Sequence, residues 1–332
     1  MQVEEIKAEL GEYVHKNSSV ISAGVYSEEV TLDKYCRRLS SIKGKYPQFH
    51  QVMTNVVQGF KAEWQELGQA QFKANILQNY RQKVNFPVIV DDVYGTWLTD
   101  LKIEGKTPQE QPIAKYIMDD LNAKIIDDLD ELSITAVRDD DNADGQFGKS
   151  LDGIQSVVSK GVANVKHPMF TIPLSALTPA NILDQFKAFE KGVPRKVRKK
   201  IGQVFVSEDV ALMYQDAYAE AFGTHTTHSD DRTKKTHYYK WDIVPLPELA
   251  DTVVFTTVKN NMVKLIDIID NPPRVTDIQI QDYKMKIFME FHLGYSFIIN
   301  QLVFVADFGA NPRGLRNAEQ NALYYKTENL TV

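Results

Sequence analysis

Ile113, Ile117, Leu121, Ile125, Leu129 and Leu132 recur at spacings of four, four, four, four and three residues, and this stripe constrains the fold more than any other feature of the chain. An α-helix turns once every 3.6 residues, so that spacing lays all six side chains along one face. Pro112 suits the first helical position, where no backbone N–H has to be supplied. About 20 residues at 1.5 Å each predict a rod roughly 30 Å long over 112–132. Its other side carries Asp119, Asp120, Asp127, Asp128, Asp130 and Glu131, so one face needs apolar cover and the other needs water.

Residues 201–257 set a second constraint. The apolar run Ile201–Val206 leads straight into Ser207-Glu208-Asp209, after which Val210, Leu212, Met213, Ala217 and Phe222 follow in a helical pattern. Ser207 suits the N-cap, where a hydroxyl accepts from a free backbone N–H, and Gly223 ends the helix. After a polar loop, Trp241–Val244 and Val253–Thr257 read as strands around Pro245-Leu246-Pro247. Further on, Tyr283, Met285, Ile287, Met289, Phe291 and Leu293 alternate with polar residues, as in a half-buried strand. The alternation resumes after Gly294 through Tyr295, Phe297 and Ile299 and thickens at Leu302–Val305, which predicts a pair of long antiparallel strands.

The junction Val204-Phe205-Val206-Ser207 with Val210-Ala211-Leu212-Met213-Tyr214, then Val244-Pro245-Leu246-Pro247-Glu248-Leu249 and Val253-Val254-Phe255-Thr256-Thr257, resembles the major capsid proteins of tailed bacteriophages, the Hong Kong 97-type shell fold. That resemblance implies an α+β fold with an N-terminal helical arm, an extended β-hairpin loop, a long spine helix, and peripheral and axial domains. It places the arm at 1–83 and the extended loop at 84–111. The peripheral domain falls at 112–155 and 259–332, with the spine helix at 112–132, and the mainly axial domain at 156–258. It also implies a protein that is not an enzyme and needs no cofactor. Copies of the chain would form pentamers and hexamers closing an icosahedral shell around packaged double-stranded DNA, without sequence-specific contact to it. Portal, scaffold or protease proteins would be further partners, and no membrane is involved. The place is the virion, after synthesis in the host cytoplasm. The alternatives are an encapsulin-like compartment shell, another phage structural part such as a tail or adaptor protein, and a soluble α/β enzyme.

Two segments ahead of the rod hold the candidate contact residues. Within a mostly helical 1–83, Val52, Val56, Phe60, Trp64 and Leu67 recur every three or four residues, an amphipathic stripe that needs cover from its own domain or from a neighbour. In 84–111, Val88-Ile89-Val90 and Trp97–Ile103 read as strands separated by Gly95 and closed by Gly105-Lys106-Thr107-Pro108. A lone two-stranded hairpin is marginal in water and must lie on something, and the resemblance lays it across an adjacent subunit. The candidate assembly residues are therefore Val88, Val90, Tyr94, Trp97 and Leu101, with Trp64 and Phe60 from the stripe before them.

Sites for chemistry are scarce. No GxSxG, phosphate-binding loop, dinucleotide glycine fingerprint or HExxH is present. Asp140 opens a D-x-N-x-D-G turn like the start of a calcium loop, but Leu151 stands where the bidentate carboxylate belongs, so an acidic surface turn is expected. His225, His228 and His237, with Asp230 and Asp231, lie in a Thr- and Lys-rich stretch that reads as a polar loop, although the histidine spacing is compatible with a metal. The single cysteine, Cys36, excludes an intrachain disulfide and a cysteine zinc site and reads as structural. A net charge of −6 excludes a chain-wide electrostatic grip on nucleic acid. The run Arg195-Lys196-Val197-Arg198-Lys199-Lys200 contains no aromatic stacking partner and reads as a solvated surface before a buried strand. The opening MQVEEIKAEL is amphipathic rather than signal-like, and no apolar run approaches the roughly 20 residues of a membrane span.

Overall fold

The computed structural model of the chain describes residues 3–19, 21, 26, 30–68, 70–108, 110–222, 233–268, 273–282, 284–309, 311–328 and 330. The first half runs α1 (Val3–Lys16), β1 (Arg37–Leu39), β2 (Lys45–Met53), β3 (Ala70–Gln78), β4 (Tyr80–Val88), α2 (Val90–Glu104), α3 (Ile113–Thr135) and α4 (Ile154–Ala163). Then come β5 (Phe170–Pro173), α5 (Ile182–Gly192), α6 (Arg195–Arg198), β6 (Ile201–Ser207) and α7 (Glu208–Phe222). The last part holds β7 (Asp242–Leu246), β8 (Phe255–Val258), β9 (Met262–Ile266), β10 (Arg274–Gln281), β11 (Lys284–Phe297), β12 (Val303–Asp307) and α8 (Ala318–Tyr324).

The six-residue apolar stripe is α3, and all six of its members are buried. Pro112 is the N-cap residue with ψ 144°, one place earlier than expected, and the helix continues to Thr135. Ile6 and Leu10 of α1 share its core cluster, which also takes in the inward side chains of β11.

Strand β11 is the axis of the first sheet. Its first part, from Met285 to Leu293, pairs antiparallel with β4, and its end, from Leu293 to Phe297, pairs with β9. β10 covers its other edge, and β1 adds to β9 in parallel. The expected pair of long strands is thus one uninterrupted 14-residue strand, and β12 belongs to a different sheet. Gly294 makes no turn. A Cβ there would stand 2.5 Å from the carbonyl oxygen of Gln78 and 2.8 Å from Asn79 Cα, so the glycine serves a close backbone crossing.

The second sheet has the order β5-β12-β8-β6-β7. Its helices α5 and α7 share a separate core with Phe170, Phe186, Val204, Tyr214, Trp241 and Phe304. The predicted junction is present: β6 runs directly into α7, and Ser207 Oγ accepts from Val210 N at 3.1 Å while donating to Asp251 Oδ1 at 2.6 Å. β7 and β8 lie within two residues of the expected positions.

The first 83 residues depart from expectation. Among the described residues the helical parts are α1, with Ser18, Ser19 and Ile21 shortly after it, and a five-residue 3-10 turn, Thr31–Tyr35, and strands make up much of the rest. That short turn is tied into the first sheet by a fully buried ion pair between Asp33 and Lys264. Tyr295 donates its hydroxyl to the other carboxylate oxygen at 3.1 Å, and the Lys264 ammonium lies 5.4 Å from the Tyr26 ring centre. Burial drives the Asp33 pKa up and the Lys264 pKa down, with each partner's charge opposing the shift.

The expected hairpin over 84–111 is likewise replaced. β4 ends at Val88, and Val90–Glu104 forms α2, closed by Gly105 in the left-handed conformation with φ 65°. Val90, Val93, Tyr94, Trp97 and Leu101 fall at helical spacing and turn toward the core around α3. Trp97 Nε1 donates to the Gln111 carbonyl at 2.9 Å, and Tyr116 of α3 donates to Asp100 at 2.8 Å.

Candidate assembly surfaces

The extended hairpin of this chain is β2 with β3, paired antiparallel from Lys45↔Gln78 to Met53↔Ala70. Strand side chains alternate sides, so opposed residues share a face. One face holds Tyr46, Gln48, His50 and Val52 opposite Leu77, Asn75, Lys73 and Gln71. The lower part of this face rests on the body. Leu77 is fully buried with Ile42, Val263 and Leu265. Asn75 Nδ2 donates to the Phe297 carbonyl at 2.8 Å, and His50 Nε2 lies 2.7 Å from the Tyr324 hydroxyl. Asn79 accepts from Gly44 N at 2.7 Å and donates to the Ile42 carbonyl, fixing the turn into β4.

The opposite face is apolar and uncovered. Phe49, Met53, Phe72 and Ile76 are each at least 60% exposed, and Pro47 lies in line with them. The stretch 54–68 that joins the strands adds Val57, Phe60 and Trp64, and the last two are 99% and 95% exposed. Monomeric proteins rarely leave a continuous apolar surface of this kind in water, and where one occurs it marks a contact. The helical stripe expected at 52–67 does not form: Val52 lies in β2, which ends at Met53, and residues 54–68 take no regular structure.

The candidate contact residues therefore divide. Phe60 and Trp64 project from the ribbon, whereas Val88, Val90, Trp97 and Leu101 are buried inside their own chain and Tyr94 is half-buried against the same core. Val88 closes β4, and the other four lie on α2 with their apolar side chains turned to the core around α3. The sequence signal for Phe49, Met53, Phe72 and Ile76 was an alternation of period two in 45–53 and 70–78.

A second surface is a groove of about 1040 Å³ between α3, β4 and the 138–150 loop. Its floor includes Leu121, Ile125 and Leu129, and half-exposed Phe86 and Phe147 stand at its sides. Along the rim, Arg81 is paired with Glu290 and Lys83 with Asp144, the latter at 3.0 Å.

The remaining candidates hold little chemistry. Asp140 pairs with Arg138 at 2.8 Å and Asp139 accepts from Asn142 at 3.0 Å, so these acids are engaged in the turn itself. Among the described residues no group of three His, Cys, Asp or Glu side chains is placed to hold a metal. His225, His228, Asp230 and Asp231 lie outside the described residues. Cys36 packs partly buried against the first core. No helix among the described residues is long and apolar enough to cross a membrane.

A two-sheet body with a long spine helix and a projecting β-ribbon is the architecture of tailed-phage capsid subunits, and this chain has that fold. No family model and no curated protein sequence matches it. Solved structures do. The satellite phage P4 procapsid, which includes the size determination protein Sid, aligns over 93% of this chain and 100% of its own, with a TM-score of 0.58 and 10% identity. The capsid of an empty GTA particle aligns over 86% and 98%, at 0.53 and 11% identity. The cyanophage A-1(L) capsid aligns over 85% and 90%, at 0.52 and 13% identity. These are shell structures rather than enzymes, and at such identities the likeness is one of fold.

Proposed function

We propose that this chain is the major capsid protein of a tailed-phage-type particle, and that copies of it assemble into a closed shell around double-stranded DNA. The observation that carries the reading is the uncovered face of the β2–β3 ribbon, with Phe60 and Trp64 almost fully in water at its end. A ribbon pinned at its root and apolar at its outer face gains stability when another surface covers that face. The groove along α3, with half-exposed Phe86 and Phe147 at its sides, is the candidate receiving surface on the same chain. Knob and hole on different patches make a heterologous contact, which closes into rings such as pentamers and hexamers when the rotation between copies permits. A division into a peripheral part around α3 and β11 and an axial part around β6 and α7 belongs to this reading, and the two hydrophobic cores support it in part, with Phe205 and Phe255 joining the first core and Phe304 and Leu315 the second. The function is geometrical, and location in the virion follows from it. Scaffold, portal or protease partners belong to the same reading.

Negative-stain microscopy and sedimentation of the purified chain test it. Hollow closed particles support the proposal. A monodisperse monomer at high concentration, with the ribbon protected from proteolysis, overturns it, and tubes point instead to a tail component.

A further inference from the structure

The basic run at 195–200 lacks aromatic companions in the sequence, but the fold supplies them from another segment. α6 and the two residues after it form a turn in which Val197 is buried, and Arg195, Lys196, Lys199 and Lys200 are all exposed around it. Beside it lies the 236–241 turn, organised by one carboxylate. Glu190 is fully buried and accepts from Thr236 Oγ1 at 2.6 Å, Tyr238 N at 3.0 Å and Tyr239 N at 2.8 Å. That anchoring presents two exposed tyrosines to the cations. The Lys191 ammonium stands 5.0 Å from the Tyr238 ring centre, and the Arg198 guanidinium 5.6 Å from that of Tyr239. Arg198 also donates to the Tyr239 hydroxyl at 3.0 Å and to the Val193 carbonyl at 2.6 Å, while Trp241 Nε1 donates to the Arg198 carbonyl at 3.2 Å.

The nearby acids are already engaged. Glu190 is used as described, and Glu328 accepts from Arg195 N at 3.0 Å and from the Arg313 side chain at 2.7 Å. Asp184 is paired with Lys187 at 2.9 Å and Asp242 with Lys235 at 3.5 Å. None of Arg195, Lys196, Lys199 and Lys200 forms an ion pair with a described residue. Four like charges within six residues repel one another, on a molecule whose net charge is −6. A polyanion relieves that repulsion. Phosphates along a nucleic-acid strand supply closely spaced charge, and tyrosine side chains such as the two exposed beside the cations are among the groups that hydrogen-bond phosphate oxygens.

We infer that the surface formed by Arg195, Lys196, Lys199, Lys200, Tyr238 and Tyr239 binds the phosphate backbone of nucleic acid without regard to sequence. The inference stands on local geometry and does not require that the chain build a shell.

Fluorescence anisotropy of a labelled duplex DNA oligonucleotide with the purified chain, at 50 and 200 mM NaCl, tests it. Four neutralised phosphates give a slope of log affinity on log salt of about −3.6, so binding weakens roughly 150-fold over that range. In the triple variant Lys196→Gln/Lys199→Gln/Lys200→Gln about one contact remains, and the same salt change weakens binding only about 3- to 4-fold. A control neutralising Lys34, Lys102 and Lys115, exposed elsewhere, keeps the steep slope. Absence of binding at 50 mM, or equal loss in the control and the patch variant, overturns the inference. Microscopy of the same samples reads shell formation separately, so failure of either conclusion leaves the other standing.

Discussion

Replacing Phe60 and Trp64 by alanine removes the two side chains that the folded chain itself uses least. At 99% and 95% exposure they contribute next to nothing to monomer stability, so the double variant unfolds within about 0.5 kcal/mol of the parent. Assembly is affected differently. A large aromatic side chain buries about 150–250 Å² when covered, and at roughly 25 cal/mol per Å² this is a gross gain near 5 kcal/mol for each ring. Immobilising the side chain costs about 1 kcal/mol, and a ring seated incompletely recovers less than its full area. A net loss of about 2–4 kcal/mol per ring follows, in the range of interface hot spots. Each lost ring lowers the contact's association constant about 30- to 700-fold. Light scattering against concentration, with negative-stain images at each step, gives the assembly threshold, and thermal unfolding of the dissociated chain gives its stability. Assembly at the parent's threshold, or a dissociated variant chain that unfolds several degrees lower, refutes a role for these two rings in contact rather than in folding.

Four further outcomes check the placement of individual groups. Trp97→Ala, unlike the ribbon variant, empties a buried site and loses the bond to Gln111, so it destabilises the monomer by about 3–5 kcal/mol in urea unfolding; a change below 1 kcal/mol contradicts the corrected position of α2. Lys264→Met strands the buried Asp33 carboxylate and costs about 3–5 kcal/mol, while Asp33→Leu/Lys264→Met recovers most of it; an inert single variant argues against the buried pair. Gly294→Ala pushes a methyl group into the backbone at Gln78 and Asn79 and destabilises by about 1–3 kcal/mol, measured as a lower melting temperature; an unchanged value means the ribbon root does not cross β11 so closely. Burial, aided by the nearby Lys73, holds His50 and His167 below the usual imidazole pKa. The unfolded chain therefore takes up more protons below about pH 6.5, and stability falls as pH drops from there to the folded-state values. His50→Gln flattens that decline in melting scans, and an identical slope removes His50 as a contributor.

The most legible parts of the sequence are elements whose apolar side chains are covered by the same chain and carry one uninterrupted period. Helix α3 shows six buried positions at one spacing, and β6 with α7 carries a serine cap between an apolar run and a helical pattern, so each announces itself locally. The ribbon is illegible for a physical reason. Val52, Val56, Phe60, Trp64 and Leu67 happen to be spaced like a helix face, but no surface of their own chain covers Phe60 or Trp64, so folding imposes no helical period on them. In α2 the error ran the other way. Gly95 and the alternation at Trp97–Ile103 suggested strands, and the buried set Val90, Val93, Tyr94, Trp97 and Leu101 shows the helical period that packing against α3 enforces. Gly294, which reads as a break, is a crossing point between segments more than 200 residues apart, and no local pattern encodes it.

The ribbon's two faces also separate folding from association. Leu77, Asn75 and the contact of His50 with Tyr324 fix one face to the body, so the direction in which the ribbon leaves is decided within a single chain. Phe49, Met53, Phe72, Ile76 and the tip contribute nothing until a second surface arrives. A ribbon free at both ends would lose much of its contact energy to ordering on association, since each immobilised side chain costs about 0.5–1.5 kcal/mol and two strands alone scarcely hold together. With the root fixed, that ordering is largely complete before two copies meet. The exposed apolar face therefore acts at a set angle and distance from the spine helix, which is what a contact repeated identically around a closed ring requires.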